Sequence, residues 1–185
     1  MITLINACWI IFLGVWLVAA FDTKSTAERA GWRGWLSYRL PLAGAFALLV
    51  SSFRIPALNM PVIASTPTAR FLAGAFCVTG LLIAIWARAT LGSNWSSSVT
   101  LKEDHELIVR GPYAYVRHPI YTGMLFMLLG TALISGRLGA MAGLAFGFLG
   151  LWIKLRQEEA LMMRHFPADY PKYKAKSKAL LPFVL

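Results

Sequence analysis

The chain has 185 residues, of which 58% are hydrophobic and 14% are charged, and its formal net charge is +10. This length allows one compact domain, and the apolar residues form blocks, a pattern that indicates a membrane protein and excludes an ordinary soluble enzyme. The positive charge therefore points to a membrane surface with anionic lipids as a partner, and not to nucleic acid.

Five apolar segments are predicted to be membrane-spanning helices, so the expected fold is an all-α, polytopic integral membrane protein. The segments are residues 3–20, 36–52, 71–87, 119–135 and 138–153. About 20 residues are needed to cross ~30 Å of hydrocarbon, so the last two are short and are expected to pack as a tight helical hairpin. No lysine or arginine precedes the first segment, which predicts a retained helix and not a secretory signal.

The lysines and arginines divide unevenly between the two sides that five spans create. One side holds 15 of the 18: residues 21–35, 88–118 and 154–185, together with Arg39. Because positive loops stay in the cytoplasm, the amino terminus is predicted to lie outside and the carboxyl-terminal region inside. The expected location is the inner or plasma membrane of a prokaryote.

The fifth segment carries small residues at a spacing that lets another helix approach closely. Gly139, Gly143 and Gly147 are four residues apart, and Gly150 follows. This pattern indicates either a neighbouring helix of the same chain or a dimer interface, and routine packing within the chain is the preferred interpretation.

A polar junction precedes the fourth segment. Pro119 suits the first turn of a helix, which places Arg117 and His118 at its start, where free backbone N–H groups attract polar or anionic ligand atoms. Tyr121 lies one turn further along, and Tyr113 comes shortly before. A belt of interfacial side chains is the plainer alternative. The combination favours a ligand site at the cytoplasmic membrane surface.

An acidic pair, Glu158 and Glu159, follows the fifth segment, and the short hairpin brings it back beside the junction. Lys154 and Glu158 are four residues apart and share a helix face. From the sequence, Lys154 and Glu158 can equally form a solvated ion pair or belong to a functional site. Carboxylates beside a membrane helix need solvent, a cation or a ligand.

Neither a metal site nor a phosphate-binding loop is predicted. The three histidines lack ligand spacing and have no accompanying carboxylate cluster, and no glycine-rich loop follows a strand. Cys8 and Cys77 both fall in apolar blocks and are expected to be packing residues.

Several short motifs occur in an order that resembles a known family. They are Gly92-Ser93-Asn94-Trp95-Ser96, His105-Glu106-Leu107-Ile108, Gly111-Pro112-Tyr113, Arg117-His118-Pro119-x-Tyr121 and Arg156-Gln157-Glu158-Glu159. Over residues 75–185 the chain resembles the isoprenylcysteine carboxyl methyltransferase family, within the wider group of integral-membrane methyltransferases that includes phospholipid methyltransferases. Residues 1–70 would then form the first two helices with their loops, and 71–185 the methyltransferase core.

The resemblance implies S-adenosylmethionine as methyl donor and a cofactor region at the cytoplasmic, carboxyl-terminal side. It implies a lipophilic acceptor that is a prenylcysteine-like carboxylate, a thiol or a lipid amine. Substrate-side catalytic roles fall on Lys154 and Arg156. Carried over by position, the cofactor contacts are His105, Glu106, Leu107, Ile108, Tyr113, His118, Pro119, Ile120, Tyr121 and Glu158.

Two other classes of protein compete with this interpretation. Membrane reductases of the sterol or steroid type carry a similar Arg-His-Pro-x-Tyr motif and use NADPH, but an acidic step commonly follows their tyrosine, where this chain has Thr122-Gly123-Met124. A small membrane scaffold would bind no cofactor. No ionisable residue lies in the middle of a predicted span, so a transport path is not indicated.

Overall fold

The computed structural model describes residues 1–21, 26–29, 31–51, 55–95, 100–102 and 106–184. Helices dominate this part of the chain, which confirms the predicted helical fold class. They are α1 (Ile2–Ala19), α2 (Trp32–Ser51), α3 (Pro67–Leu91), α4 (Pro119–Ser135), α5 (Leu138–His165) and α6 (Tyr170–Lys176). Two short strands, β1 (Thr26–Arg29) and β2 (Thr100–Lys102), pair antiparallel and add a small ribbon that the sequence did not predict.

Each predicted span corresponds to one of the first five helices. Among the described residues, three segments are long and apolar enough to cross a membrane: Ile2–Ala19, Pro67–Asn94 and Leu138–His165. α4 is equally apolar in character but has only 17 residues. α2 carries Arg33, Arg39 and an internal Pro41 and is not in this group.

α5 extends well beyond its predicted end at residue 153. The whole helix has 28 residues and ends at His165, because Lys, Leu, Arg, Gln, Glu, Ala and Met after Ile153 all favour helix. It stops at Phe166, whose helical conformation is disfavoured by the following Pro167. The segment predicted as a tail from residue 154 is therefore half helix, and the acidic pair stands on a rigid element.

Glycines allow two pairs of helices to pack with their backbones close together. A Cβ atom at Gly80 of α3 would lie 2.4 Å from the carbonyl oxygen of Gly123 in α4, and one at Gly123 would lie 2.5 Å from that of Gly80. On α5, a Cβ at Gly150 would meet Leu42 and the Tyr38 carbonyl of α2. The glycine row of α5 thus receives α2 of the same chain, which confirms packing within the chain.

α1 attaches to α3 and α4 through its only buried face. Ile5, Cys8 and Phe12 pack in a cluster that includes Cys77. The prediction that both cysteines are packing residues is confirmed.

The chain's connections gather at two opposite ends of the helices. At one end, the amides of Val62 and Ile63 donate to the Gly136 carbonyl at distances of 2.8 and 3.1 Å, so the α2–α3 connection covers the α4–α5 turn. Gly136 has a φ of +63°, and a Cβ there would lie 2.6 Å from the Ile63 carbonyl oxygen. At the other end lie the β1–β2 ribbon, the start of α4 and the end of α5.

Candidate active site

The start of α4 is fixed by the chain's carboxyl-terminal segment. His118 is the N-cap residue and Pro119 occupies the first turn, as the sequence predicts. The amides of Arg117 and His118 donate to the carbonyls of Lys178 and Ala179, both at 2.9 Å. These bonds hold the two residues before the helix in one orientation.

Three polar side chains lie around the carboxylate of Glu158. The Tyr121 hydroxyl donates to Oε1 at 2.7 Å, and the Lys154 ammonium lies 3.7 Å from the same oxygen. Nδ1 of His118 lies 3.6 Å from Oε2. The Glu158 side chain retains 24% of its exposure, so part of the carboxylate is available to a ligand.

Glu159 faces a different set of partners and is almost fully buried. Arg117 Nε donates to its Oε1 at 2.7 Å, and Lys174 Nζ donates to its Oε2 at 2.6 Å. Arg117 also donates to the Ser177 carbonyl. Charge-assisted bonds of this kind are among the strongest in proteins, so Glu159 joins α5 to α6 and to the residues just before α4.

His118 lies between the two carboxylates. Its Nε2 is 3.6 Å from Glu159 Oε1, too long for a hydrogen bond, and this buried nitrogen has no hydrogen-bond partner among the described residues. The ring stacks on Tyr121, with centroids 5.4 Å apart and planes 4° from parallel. A buried polar atom without a partner is unusual and marks a place that a ligand can complete.

A cavity with an empty volume of about 860 Å³, part of it open to solvent, lies at this point. Eight of the ten predicted cofactor residues line it, and they come from both the 106–121 region and α5. The lining residues are Leu91, Asn94, Trp95, Glu106, Leu107, Ile108, Tyr113, Arg117, His118, Ile120, Tyr121, Glu158, Leu161, Met162, Tyr170 and Tyr173.

Tyrosine hydroxyls in this region stay protonated at neutral pH. Burial is the main cause that raises the pKa of Tyr113 far above its ordinary value of 10, and burial raises the pKa of Tyr173 to about 12. The Tyr173 hydroxyl donates to the Tyr113 carbonyl at 2.6 Å. This bond connects α6 to the turn before α4 and presents both rings at the cavity.

Three predicted residues are placed differently from the rest, and a fourth, His105, lies outside the described residues. Pro119 is fully buried behind the cavity and does not line it. Lys154 is buried beside Glu158, with its ammonium 5.3 Å from the Tyr121 ring centroid and 5.7 Å from that of Tyr38. Arg156 is exposed and does not line the cavity, so the structure does not bring it together with the others.

Other lining residues were given no role by sequence reasoning. Tyr170 and Tyr173 of α6 stand in the pattern Phe166-x-x-x-Tyr170-x-x-Tyr173, but nothing in this spacing shows that the segment folds back onto the cavity. Asn94 and Trp95 occur in the motif Gly92-Ser93-Asn94-Trp95-Ser96, and this motif was the sequence feature that could have identified them as cavity residues. Arg117 and Glu159 were noted in their motifs, and only the fold reveals that they bind each other.

A second cavity, almost wholly apolar, lies between α4, α5 and the carboxyl-terminal segment. Phe126, Ala145 and Leu181 are among its lining residues. Ala145 and Lys154 are nine residues apart on one helix, which at 100° per residue puts them on opposite faces. Lys154 is not among the residues that line this apolar cavity.

Comparison with known proteins identifies the family. The family described as "Isoprenylcysteine carboxyl methyltransferase (ICMT) family" matches residues 72–164, just over half of the chain. The protein-S-isoprenylcysteine O-methyltransferase of Schizosaccharomyces pombe is 30% identical over 76% of this chain, and that of Saccharomyces cerevisiae is 31% identical over 77%. The chain spans 60% and 62% of the length of these relatives.

A solved structure shares the fold. It is described as the eukaryotic intramembrane Ras methyltransferase ICMT, and its TM-score with this chain is 0.59 at 24% sequence identity. The match covers 80% of this chain and 52% of that one. With the apolar helices, these matches identify an integral membrane protein. The matched residues 72–164 contain the start of α4 and the acidic pair, and the chain belongs to the isoprenylcysteine carboxyl methyltransferase family.

Proposed function

We propose that the protein is an S-adenosylmethionine-dependent methyltransferase that methylates a lipophilic acceptor at the membrane surface, in the manner of a protein-S-isoprenylcysteine O-methyltransferase. One observation carries the proposal: Tyr121, His118 and Lys154 converge on the partly exposed carboxylate of Glu158 beside a cavity lined by the family's motif residues. The names of the relatives suggest the acceptor class.

The residues around the cavity fit this cofactor. Glu158 offers carboxylate oxygens to hydroxyl or ammonium groups, and the buried Nε2 of His118 has no hydrogen-bond partner within the described part of the chain. Leu107, Ile108 and Trp95 supply apolar and aromatic surface for a purine ring. We assign cofactor binding to Glu106, Leu107, Ile108, Tyr113, His118, Ile120, Tyr121 and Glu158, with Pro119 shaping the helix start, and extend it to His105 from the motif.

When bound, the cofactor supplies a methyl group activated by a sulfonium. Its transfer is an in-line displacement that neutralises charge, so orientation and exclusion of water contribute more than a strong base. Tyr121 and His118 stack on each other, and the Tyr121 hydroxyl donates to Glu158, so the two rings provide a rigid wall for this purpose. Tyr170 and Tyr173 close the cavity from the side of α6.

Lys154 is the residue we assign to the acceptor. Its ammonium is buried near two tyrosine rings and one carboxylate, where it attracts an anionic oxygen and repels a protonated amine. A carboxylate acceptor also needs no proton removed at neutral pH. The exposed position of Arg156 favours Lys154 for this role.

We further propose that all five long helices cross the membrane, with the cavity on the cytoplasmic side. The connections between the helices lie at two opposite ends, which supports a chain that crosses the membrane once with each long helix. The uneven distribution of lysine and arginine supports the orientation, because positive segments remain in the cytoplasm.

A methyl-transfer assay with labelled S-adenosylmethionine tests the function. The purified protein would be offered an N-acetyl-S-prenylcysteine, a long-chain thiol and a lipid amine, and we expect methylation of the carboxylate of the first. Thermal stabilisation by S-adenosylhomocysteine, compared with NADPH, reports on cofactor choice independently. Stabilisation by NADPH alone, or transfer to none of the three acceptors, would refute the proposal.

A further inference from the structure

α6 contributes two residues to the lining of the cavity. Tyr170 and Tyr173 both line it, and both stand on a helix of only seven residues. A helix this short is not stable by itself, so its position depends on its contacts with the rest of the protein. What fixes α6 therefore fixes the shape of the cavity.

The chain after α6 is held firmly by backbone bonds. In addition to the bonds that Lys178 and Ala179 accept, the Thr122 hydroxyl donates to the Leu180 carbonyl at 2.6 Å. Within α6, Tyr173 bonds the Tyr113 carbonyl, and Lys174 reaches the carboxylate of Glu159 at 2.6 Å. Lys174 is thus the charged connection between α6 and α5.

The two ends of this ion pair have different access to solvent. The Lys174 side chain is 41% exposed, whereas that of Glu159 is 5% exposed. Salt screens an interaction with an exposed partner more than one between buried groups. Without Lys174, Glu159 still binds Arg117, so the buried charge remains paired and the fold should persist.

We propose that Lys174 is a positioning residue of the cavity: by binding Glu159 it holds α6 so that Tyr170 and Tyr173 retain the bound cofactor, and salt weakens this hold. The proposal rests on the proposed function only in taking S-adenosylmethionine as the occupant. It predicts that dissociation of the cofactor, and not the integrity of the helical core, responds to Lys174.

The chain supplies a matched control in the same helix. Lys172 is 73% exposed and its ammonium lies 3.8 Å from Asp169, away from Glu159. Lys172→Met and Lys174→Met remove the same charge from α6, so a general loss of positive potential affects both alike. Lys174→Arg retains the charge and the capacity to bind a carboxylate and is expected to restore behaviour close to that of the wild type.

The experiment measures dissociation of radiolabelled S-adenosylhomocysteine from detergent-purified protein after dilution into unlabelled ligand. For the wild type, dissociation should accelerate between low and high salt. Lys174→Met should dissociate about three- to tenfold faster at low salt, with little further change on adding salt, as expected for the loss of one charge-assisted bond. Lys172→Met should match the wild type.

Amide hydrogen exchange over residues 170–176 gives a second readout that needs no ligand. Exchange should be faster in Lys174→Met than in Lys172→Met, while α3 and α4 remain equally protected. Equal dissociation rates in the two variants, or equal exchange across α6, would overturn the proposal. If the wild type binds no S-adenosylhomocysteine, the proposed function fails, and the exchange result alone decides whether Lys174 holds α6.

Discussion

Glu158 and Glu159 are adjacent in sequence, but their side chains serve different parts of the molecule. Glu158 receives Tyr121 and remains partly open to the cavity, whereas Glu159 is buried and binds Arg117 and Lys174. Adjacent positions on a helix point about 100° apart, so one carboxylate faces the cavity and the other faces α6. The sequence identified the pair, and only the fold separates the two roles.

Glu158→Gln should weaken cofactor binding about tenfold, because it replaces a charged acceptor with a neutral amide beside Tyr121 and His118. Isothermal titration calorimetry with S-adenosylhomocysteine measures the change. Asp169→Asn removes a carboxylate that is 70% exposed and lies off the cavity wall, so it serves as the control. Unchanged affinity in Glu158→Gln would remove Glu158 from the cofactor site.

Lys154→Met should raise the KM for a carboxylate acceptor about tenfold, because we assign the Lys154 ammonium to the acceptor, and leave cofactor affinity nearly unchanged, because Glu158 keeps its bond from Tyr121. Steady-state kinetics with an N-acetyl-S-prenylcysteine separates the two effects. Arg156→Met, which alters an exposed side chain, is the matched control. An equal rise in KM for both variants would contradict the assignment of Lys154, and not Arg156, to the acceptor.

At the scale of helices, the sequence correctly predicted that five long helices exist and in which order they occur, but it predicted the ends of these helices less well. Five apolar blocks gave five helices, and the glycine row of α5 indicated the close contact that α2 makes. The end of α5 was missed because the prediction used hydropathy, which changes at Ile153, while helix propensity persists to His165. The fold of α6 against Glu159 depends on contacts far apart in sequence, which no local pattern encodes.

Gly80→Ala should destabilise the protein by more than about 2 kcal/mol, because the new methyl group would meet the Gly123 carbonyl oxygen at 2.4 Å and force α3 away from α4. Thermal unfolding in detergent measures this. Gly14→Ala makes the same change in α1 where no atom lies within 4 Å, and its melting temperature should be equal or higher. Similar melting temperatures for both variants would contradict the tight crossing.

At the scale of the whole molecule, the two ends of the helix assembly should face opposite sides of the membrane. Ser65→Cys and Lys176→Cys place exposed thiols at the two ends, and the native Cys8 and Cys77 are buried. A membrane-impermeant thiol reagent added to intact cells should label the cysteine at position 65 and spare the one at 176 until the membrane is opened. The reverse pattern would invert the proposed orientation.

The length of α4 has a consequence for the bilayer that surrounds it. Its 17 residues measure about 26 Å, a few ångströms less than a typical hydrocarbon core. One end is fixed by the α2–α3 connection at Gly136, and the other begins at the cavity beside His118. In the proposed membrane arrangement, the length of α4 sets the depth of the cavity relative to the headgroups. Under the proposed function, membrane thickness as well as lipid chemistry then governs whether the reactive group of an embedded acceptor reaches the level of the cofactor.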